Sequence, residues 1–436
     1  MKSTFKKIII LILTIEARLI LKKYRPKIVG VTGSVGKTST KDAVYAVLAG
    51  SFYVRKSQKS YNTEFGVPLT IIGGRNGWSN PFIWLETIIR GLRLLLVPSR
   101  YPEWLVLEIG ADRPGDIKFL TSWVKPDIAI FTRFGDVPVH VEFFKSKKAL
   151  IEEKTYLAKS LTEKGILILN ADDPEVVALK SYSRGHLVTY GVGDAQVAAS
   201  NYTLYFEREN PEAPELLTGF SFKANIRGNC LPIIRRGIVG EHHMYPVLAA
   251  LAVASALELN LVSATESLGK EVLPPGRMRL IPGIKNSLII DDTYNSSPVA
   301  VLEALTTFKS ISEKAARAIV VLGDMLELGK FSVDEHKKVG TLVQSSTAGV
   351  LVTVGVRAKQ IADGAREAGM KRTTIHEFEN SVDAGRFLDS FVKEGDYVLV
   401  KGSQGIRTER IVEEIMAHPE ERQNLLVRQD KEWQSR

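Results

Sequence analysis

The sequence predicts an α/β protein: a doubly wound, mostly parallel sheet with a small antiparallel insert, followed by a second α/β sheet. Three observations predict it. Short β-rich apolar runs alternate with helix-compatible stretches in two successive series, the pattern of parallel strands joined by crossover helices. A glycine-rich turn ending in Lys37 stands between the first such run and the helix after it. Between the two series, residues 195 to 240 turn to alternating apolar and polar positions, the period of a half-solvated antiparallel strand.

The elements follow in chain order. Residues 1 to 27 carry Lys2, Lys6, Lys7, Arg18, Lys22, Lys23, Arg25 and Lys27 against Glu16 alone, so a surplus of seven from a net charge of +9 sits there. The rest of the chain is close to balanced, which removes nucleic acid as the partner that a basic protein first suggests. Between the charges lie Ile8 to Ile15 and Leu19 to Leu21. A span needs about 20 mainly apolar residues, and this run is shorter and broken by Glu16 and Arg18. No small-residue cleavage site follows it. Residues 1 to 25 are therefore expected to form a basic, apolar helix on an anionic membrane face, with packing on the protein's own surface and a full span as the alternatives.

Lys27 to Thr32, Trp104 to Glu108, Asp127 to Thr132 and Gly165 to Asn170 read as the first strand series, each followed by a helix-compatible stretch. Tyr202 to Phe206 and Phe220 to Ala224 belong to the antiparallel insert. A helical stretch, His243 to Leu257, precedes the break at Pro274-Pro275-Gly276. The second series is Ser287 to Asp291, Ala318 to Leu322, Val350 to Thr353 and Tyr397 to Lys401. This gives a leader over 1–26, a first domain over 27–273 and a second over 274–436. The 44% hydrophobic, 25% charged composition is that of an ordinary globular protein and excludes disorder, collagen-like repeats and a polytopic membrane protein. A lone cysteine, Cys230, cannot form an internal disulfide, so the fold needs no oxidising compartment.

The strongest chemical signal is Gly30-Val-Thr-Gly-Ser-Val-Gly-Lys-Thr-Ser39 at a strand–helix junction. Glycines let backbone N–H groups turn onto phosphates, the helix amino terminus adds partial positive charge, Lys37 reaches the β/γ-phosphates and Thr38 can ligate Mg²⁺. Thr32, Gly33, Ser34, Val35, Gly36, Lys37, Thr38 and Ser39 are the expected nucleotide-binding residues, although Val31 stands where the strict phosphate-loop pattern has glycine. Glu108 ends a buried strand at the carboxyl edge, where α/β sheets place ligands. A carboxylate there is costly unless paired, so it reads as a Mg²⁺ ligand, or else as a helix-cap acceptor. The His242-His243 pair has no third ligand at metal-site spacing.

Thr32-Gly-Ser-Val-Gly-Lys-Thr38 resembles the ATP loop of the Mur ligase family. Tyr61-Asn-Thr-Glu-Phe-Gly-Val-Pro-Leu69, Leu107-Glu-Ile-Gly-Ala111, Leu169-Asn-Ala-Asp-Asp-Pro174, Gly276-Arg-Met278, Asp291-Asp-Thr-Tyr-Asn-Ser-Ser-Pro298 and Leu322-Gly-Asp-Met-Leu-Glu-Leu-Gly329 are similar to further family segments, in family order from about residue 27 to 410. The last two are similar to the branch that adds D-alanyl-D-alanine to a muramyl peptide. The resemblance implies an ATP- and Mg²⁺-dependent carboxylate–amine ligase of cell-wall precursor synthesis with a Rossmann-like second domain, acting as a cytoplasmic monomer on small-molecule or lipid-linked peptides. It implies catalytic roles for Lys37, Glu108, His140, Lys154 and Arg277, with His140 and Lys154 also holding metal, the lysine as a carbamate (N6-carboxylysine). It implies nucleotide contacts at His243, Asp292, Tyr294 and Asn295, a terminal-phosphate contact at Arg277, and substrate contacts at Asn62, Thr63, Asp324, Glu327 and Lys401.

The chain also departs from the family. Two extra residues precede His140, Gly240-Glu-His-His-Met-Tyr-Pro246 lacks both asparagines of the adenine-side segment, and Gln404 replaces a usual arginine. Only 26 residues precede the first strand where the branch carries a domain that grips a UDP-linked substrate, so the acceptor is expected to be held by the two remaining domains or to be of another kind. Ligases that join other amino acids, of the poly-γ-glutamate or cyanophycin type, and an inactive nucleotide-binding regulator are the alternative functions.

Overall fold

The computed structural model describes residues 3–58, 61–77, 80–134, 144, 146–208, 215–270, 273–346, 348–430 and 433. The chain divides into two compact units, Met1–Asn201 with Phe222–Ile233 and His243–Glu271, and Tyr202–Ser221 with Ile234–His242 and Val272–Arg436.

The first unit opens with α1 (Ser3–Tyr24), β1 (Lys27–Thr32), α2 (Lys37–Ala49), β2 (Val54–Lys56), α3 (Gly66–Ile72) and α4 (Pro81–Leu96). It continues through β3 (Trp104–Glu108), α5 (Asp116–Trp123), β4 (Ile128–Phe131), α6 (Lys147–Lys159), β5 (Ile166–Asn170), α7 (Pro174–Val177) and β6 (His186–Gly191). Three longer strands follow, β7 (Val197–Glu207), β8 (Leu216–Ile226) and β9 (Asn229–Arg236), then α8 (Met244–Ala256) and α9 (Leu261–Gly269). The sheet runs β2-β3-β1-β4-β5-β6-β7-β8-β9, parallel from β2 to β7. The expected insert is the β8–β9 hairpin and its neighbour β7. Its two-residue turn, Arg227-Gly228, has both residues at positive φ, as a tight hairpin requires.

Central strands are buried on both faces and so read as unbroken apolar runs, β1 in Ile28, Val29 and Val31 and β3 in Leu105, Val106 and Leu107. Because β1 lies between β3 and β4, Val31 stands opposite Glu108 and Thr32 opposite Phe131. The carboxyl ends of three strands thus meet at one edge. Helix starts there are set by local chemistry: Ser146 caps α6 by accepting from Ala149, and Asn80 caps α4 by accepting from Phe82, with Pro81 at its first position.

The leader is a helix, and one face of it is packed on the protein's own surface. Ile9, Leu13, Ala17 and Ile20 of α1 are buried against α3 and α4, while Ile8, Leu11, Ile15 and Leu19 are exposed. Among the described residues no helix is long and apolar enough to cross a membrane.

The second unit holds β10 (Arg279–Gly283), β11 (Ser287–Asp292), α10 (Pro298–Ile311), β12 (Arg317–Gly323), α11 (Ser332–Ser345) and β13 (Val350–Val354). α12 (Lys359–Glu367), β14 (Ile375–Phe378), α13 (Ser381–Phe391), β15 (Asp396–Lys401), α14 (Glu409–Ile415) and α15 (Arg422–Leu425) complete it. Its sheet order is β10-β11-β15-β12-β13-β14, with β10 alone antiparallel. Alternate residues feed two cores, Ile290, Val320, Leu322 and Leu399 on one face and Ile289, Val321, Val398 and Val400 on the other. Both strand-series expectations agree with this architecture. The sequence reading missed the strands β2, β6, β10 and β14.

Candidate active site

In the first unit the loop after β1 turns on two glycines. Gly33 has φ +148°, and a Cβ there would lie 1.8 Å from Thr132 Oγ1; Gly36 has φ +82° and stands at the N-cap of α2. Only part of the expected cradle is open. The N–H groups of Ser34 and Val35 donate to the Arg133 carbonyl at 2.8 and 3.2 Å, which pins the loop to the segment after β4. The first turn of α2 from Gly36 to Ser39 supplies the outward-facing amides instead, since the N–H groups that open a helix lack intrahelical acceptors. Lys37 Nζ folds over the loop and donates to the Gly33 and Ser34 carbonyls at 3.0 and 3.2 Å. Thr32 is fully buried beneath it.

Glu108 is buried at the end of β3, with 1% of its surface exposed. Its Oε2 accepts from Thr38 Oγ1 at 3.0 Å, its Oε1 accepts from Asn62 Nδ2 at 3.1 Å, and its own N–H donates to Ser57 Oγ at 3.2 Å. These partners are all neutral. A buried carboxylate without a cation is poorly compensated, and hard oxygens converging beside a phosphate loop suit Mg²⁺, which takes one or two protein oxygens and fills its other positions with water and phosphate. Among the described residues no cluster of three His, Cys, Asp or Glu side chains forms a fuller protein cage. The Asn62 carbonyl accepts from Gly110 N at 2.7 Å, and Thr63 is half-buried at the start of the turn into α3.

Lys154, on α6, is brought to the same loop. Its Nζ donates to Ser34 Oγ at 3.0 Å and sits 5.0 Å from the Phe134 ring centroid. Burial, and secondarily the charge of Lys37, push its ammonium well below the usual lysine range. A neutral amine is the form that can take up CO₂, so the setting fits a carbamate as well as an amine. His140 lies outside the described residues.

In the second unit the residues after β11 form a compact cluster. Asp291, fully buried, accepts from Thr293 Oγ1 at 2.6 Å and from Gly276 N at 3.1 Å, and burial pushes its carboxyl up to about 6. Asp292 accepts from Lys401 Nζ at 2.6 Å, and the same Nζ donates to the Asn295 carbonyl at 2.9 Å. Arg277 stacks its guanidinium 4.1 Å from the centroid of the Tyr294 ring, and its buried Nε has no hydrogen-bond partner among the described residues. Tyr294 and Asn295 are exposed. Lys401 thus joins the expected ribose and adenine residues.

Asp324 is otherwise engaged: its carboxylate accepts from Ala358 N at 2.7 Å at the start of α12, while Glu327 projects from a left-handed turn at φ +64°. His243 is buried and belongs to the first unit, at the start of α8. Its neighbour His242 belongs to the second unit and senses Asp292, Lys401 and Arg277; burial pushes its imidazole down to about 4, so it is neutral.

Four contributors escaped the sequence reading. Ser57 orients Glu108, and Ser403 Oγ accepts from Leu326 N at 2.9 Å, fixing the 324–327 turn. His336 Nε2 accepts from Met325 N at 3.0 Å. Arg428 donates to the Thr293 and Tyr294 carbonyls at 3.0 and 2.5 Å, and to Glu409 at 2.9 Å. None carries a motif, because each works through backbone far away in sequence.

Residues 31–254 match the Mur ligase middle domain, and residues 276–404 match the Mur ligase, glutamate ligase domain. UDP-N-acetylmuramoyl-tripeptide--D-alanyl-D-alanine ligase of Bacillus subtilis (strain 168) is 28% identical over 403 residues, covering 92% of this chain and 79% of that protein. The ligase of the same name from Mycobacterium leprae (strain TN) is 28% identical over 409 residues, covering 87% and 71%. The crystal structure of MurF ligase from Thermotoga maritima in complex with ADP aligns with a TM-score of 0.74 at 24% identity, over 97% of this chain and 86% of that one. With a middle domain that spans the phosphate loop, Glu108 and Lys154, and a second domain that spans Arg277 to Lys401, the chain belongs to the Mur ligase family.

Proposed function

We propose that the protein is an ATP-dependent ligase that joins D-alanyl-D-alanine to a muramyl tripeptide. The observation that carries this reading is the convergence of Lys37, Thr38, Glu108 and Lys154 on one phosphate loop. Similarity to ligases of that name over most of the chain supports the choice of substrate. The acceptor carboxylate attacks the γ-phosphorus of ATP, releasing ADP and leaving an acyl phosphate. The dipeptide amine then attacks the acyl carbon, expels phosphate and loses a proton. Lys37 and the first turn of α2 bind the phosphates and offset the charge that spreads over the transferred group. Mg²⁺, held by Thr38 and Glu108, would neutralise phosphate oxygens in the same place.

Lys154 serves as a carbamate that adds anionic oxygens to this metal site, with His140 as a further ligand, and Arg277 contacts the terminal phosphates. Asp292, Tyr294 and Asn295 hold ribose and adenine, and Lys401 orients Asp292. His243 is a further nucleotide contact, and its neighbour His242, beside Asp292 and Lys401 in the second unit, supports this reading. Asn62, Thr63 and Glu327 contact the peptide substrates, and Asp324 shapes the turn that presents Glu327. Residues 27–273 and 274–436 act as the nucleotide-binding and partner domains of a cytoplasmic monomer, and residues 1–25 touch the inner face of the membrane through the exposed side of α1.

The test is phosphate release by the purified protein with ATP, Mg²⁺, UDP-linked muramyl tripeptide and D-alanyl-D-alanine, alongside a lipid-linked acceptor and other amino acids. Release that needs both the acceptor and the dipeptide is expected. Release with a different amino acid only would reject the dipeptide, and none with any pair would reject the ligase.

A further inference from the structure

We infer that α1 and α4 together form one docking platform for an anionic lipid bilayer. This rests on reading residues 1–25 as a membrane contact, and adds to it the half of the surface that the amino terminus does not contain. Ten of the exposed large apolar side chains lie on or directly after these two helices: Ile8, Leu11, Ile15 and Leu19 on α1, and Phe82, Leu85, Ile89, Leu92, Leu96 and Val97 at α4. Within each helix the spacing is three or four residues, so each set is a single stripe along one side.

The two stripes share a face. On α1, Glu16 and Lys23 mark the edge toward α4: Glu16 lies against Gly91, and Lys23 Nζ donates to the Leu94, Leu95 and Val97 carbonyls at 2.8, 2.9 and 3.4 Å. Arg18 marks the opposite edge, 5.8 and 5.5 Å from the rings of Phe119 and Trp123 of α5. The exposed stripe runs between those edges. On α4, Glu86 and Arg90 fall on the side beside Gly73–Arg75, which leaves the apolar stripe on the side that continues from Gly91 and Leu95. Tyr24 donates to the Leu94 carbonyl at 2.8 Å, so the end of α4 is tied to the end of α1 and the stripes move as one body.

Charge selects the occupant. Residues 80–100 carry Arg90, Arg93 and Arg100 against Glu86, a surplus of two. With the surplus of seven over residues 1–27, the two segments account for the whole +9, and the rest of the chain is neutral in sum. A second copy would set this charge against itself, whereas anionic headgroups complement it. Amphipathic helices with such a face lie in the interface plane, apolar side chains below the headgroups and lysine and arginine heads among them.

The experiment is co-sedimentation of the full chain with vesicles containing phosphatidylglycerol and with vesicles of phosphatidylcholine alone. Binding is expected to the first and not the second. Deleting α1 would expose the core beneath Leu13 and Ala17, so point variants are needed. Leu11→Ser with Ile15→Ser on α1, and Leu85→Ser with Ile89→Ser on α4, should each lower partitioning about tenfold or more, with ADP binding as the control for folding. Loss in the α1 pair with none in the α4 pair overturns the platform and spares the residues 1–25 reading; loss in neither overturns both. Equal binding to phosphatidylcholine, or a dimer that the α4 pair abolishes in the absence of vesicle binding, overturns the lipid occupant. Leu85→Trp, which stays apolar, gives a second readout: blue-shifted emission and quenching by brominated lipid are expected, and unchanged emission overturns the proposal.

Discussion

Glu108→Gln separates a metal ligand from a structural carboxylate, because the two roles predict opposite outcomes in the absence of metal. The wild-type carboxylate is 1% exposed and has two neutral donors on its oxygens, Thr38 and Asn62. Each hydrogen bond to a charged acceptor contributes about 1.5–3 kcal/mol, against a desolvation penalty of several kcal/mol for the buried ion. These terms nearly cancel. Glutamine keeps an acceptor oxygen for Asn62 and turns its NH₂ to Thr38 Oγ1, whose hydroxyl can accept as well as donate, so two charge-assisted bonds become two weaker neutral ones while the buried charge is removed. The net change in chelator, measured by urea unfolding, is therefore expected to be within about 1 kcal/mol.

With Mg²⁺ and ADP at about 100 times Kd the wild type should gain about 2.7 kcal/mol by mass action, and the variant a small fraction of it. Turnover should fall about 10²–10³-fold, the usual effect of losing one charge-stabilising group in a transition state. Two results refute the reasoning: an equal gain from Mg²⁺ and ADP in both proteins, or a loss above about 3 kcal/mol in chelator, the magnitude that breaking a buried pair would give.

Three further perturbations test the remainder. Lys154→Ala should lower ligase turnover about a hundredfold or more, and short carboxylic acids should restore part of it if a carbamate is used; absence of rescue at any concentration rejects the carbamate. Asp291 holds its proton up to about pH 6 in the fold, whereas an unfolded aspartate releases it near pH 4. Its contribution to stability is thus fully present below about pH 4 and lost as pH rises to about 6, a fall of about 3 kcal/mol that Asp291→Asn should remove, and an unchanged pH slope in unfolding curves would contradict it. Arg428→Ala, which frees the Thr293 and Tyr294 carbonyls, should weaken nucleotide binding about tenfold while leaving turnover at saturating ATP intact; calorimetry with ADP and a KM-against-kcat comparison check both parts.

What the sequence made legible follows from how local each feature is. The phosphate loop needs its glycines, lysine and threonine within a few residues of one strand–helix junction, so Gly33 to Ser39 could be read directly. Central strands such as β1 and β12 are buried on both faces and leave apolar runs. Very short or half-exposed strands do not: β2 has three residues, and β6, although inside the sheet, begins with exposed His186 and Leu187. Ser57 and Ser403 were invisible for another reason, since a serine that fixes a distant backbone amide looks like any other serine. The histidine pair shows the limit of assigning residues by position. A one-residue step around the 3₁₀ turn Glu241–His243 turns a side chain by about 120°, enough to send His242 toward Asp292 and bury its neighbour at α8.

The leader sharpens the same point. Its apolar run is wide enough around the helix to allow both the expected membrane contact and the alternative of packing on the protein's own surface; the fold buries one face and leaves the other outside: Ile9, Leu13, Ala17 and Ile20 go inward and Ile8, Leu11, Ile15 and Leu19 remain outside. α4 carried no warning at all. A segment with Trp84, Leu85, Ile88, Ile89, Leu92, Leu94, Leu95 and Leu96 reads as core on composition, yet of these Trp84 alone is buried; it shares the inward side with Thr87 and with Gly91, which admits Glu16 at close range. The aliphatic bulk of Leu85, Ile89, Leu92 and Leu96 lies on the outer side. An apolar helix that buries one large side chain, Trp84, beside Thr87 and Gly91 leaves most of its other apolar bulk in contact with something other than the core, and that is a property of the packing rather than of the sequence pattern.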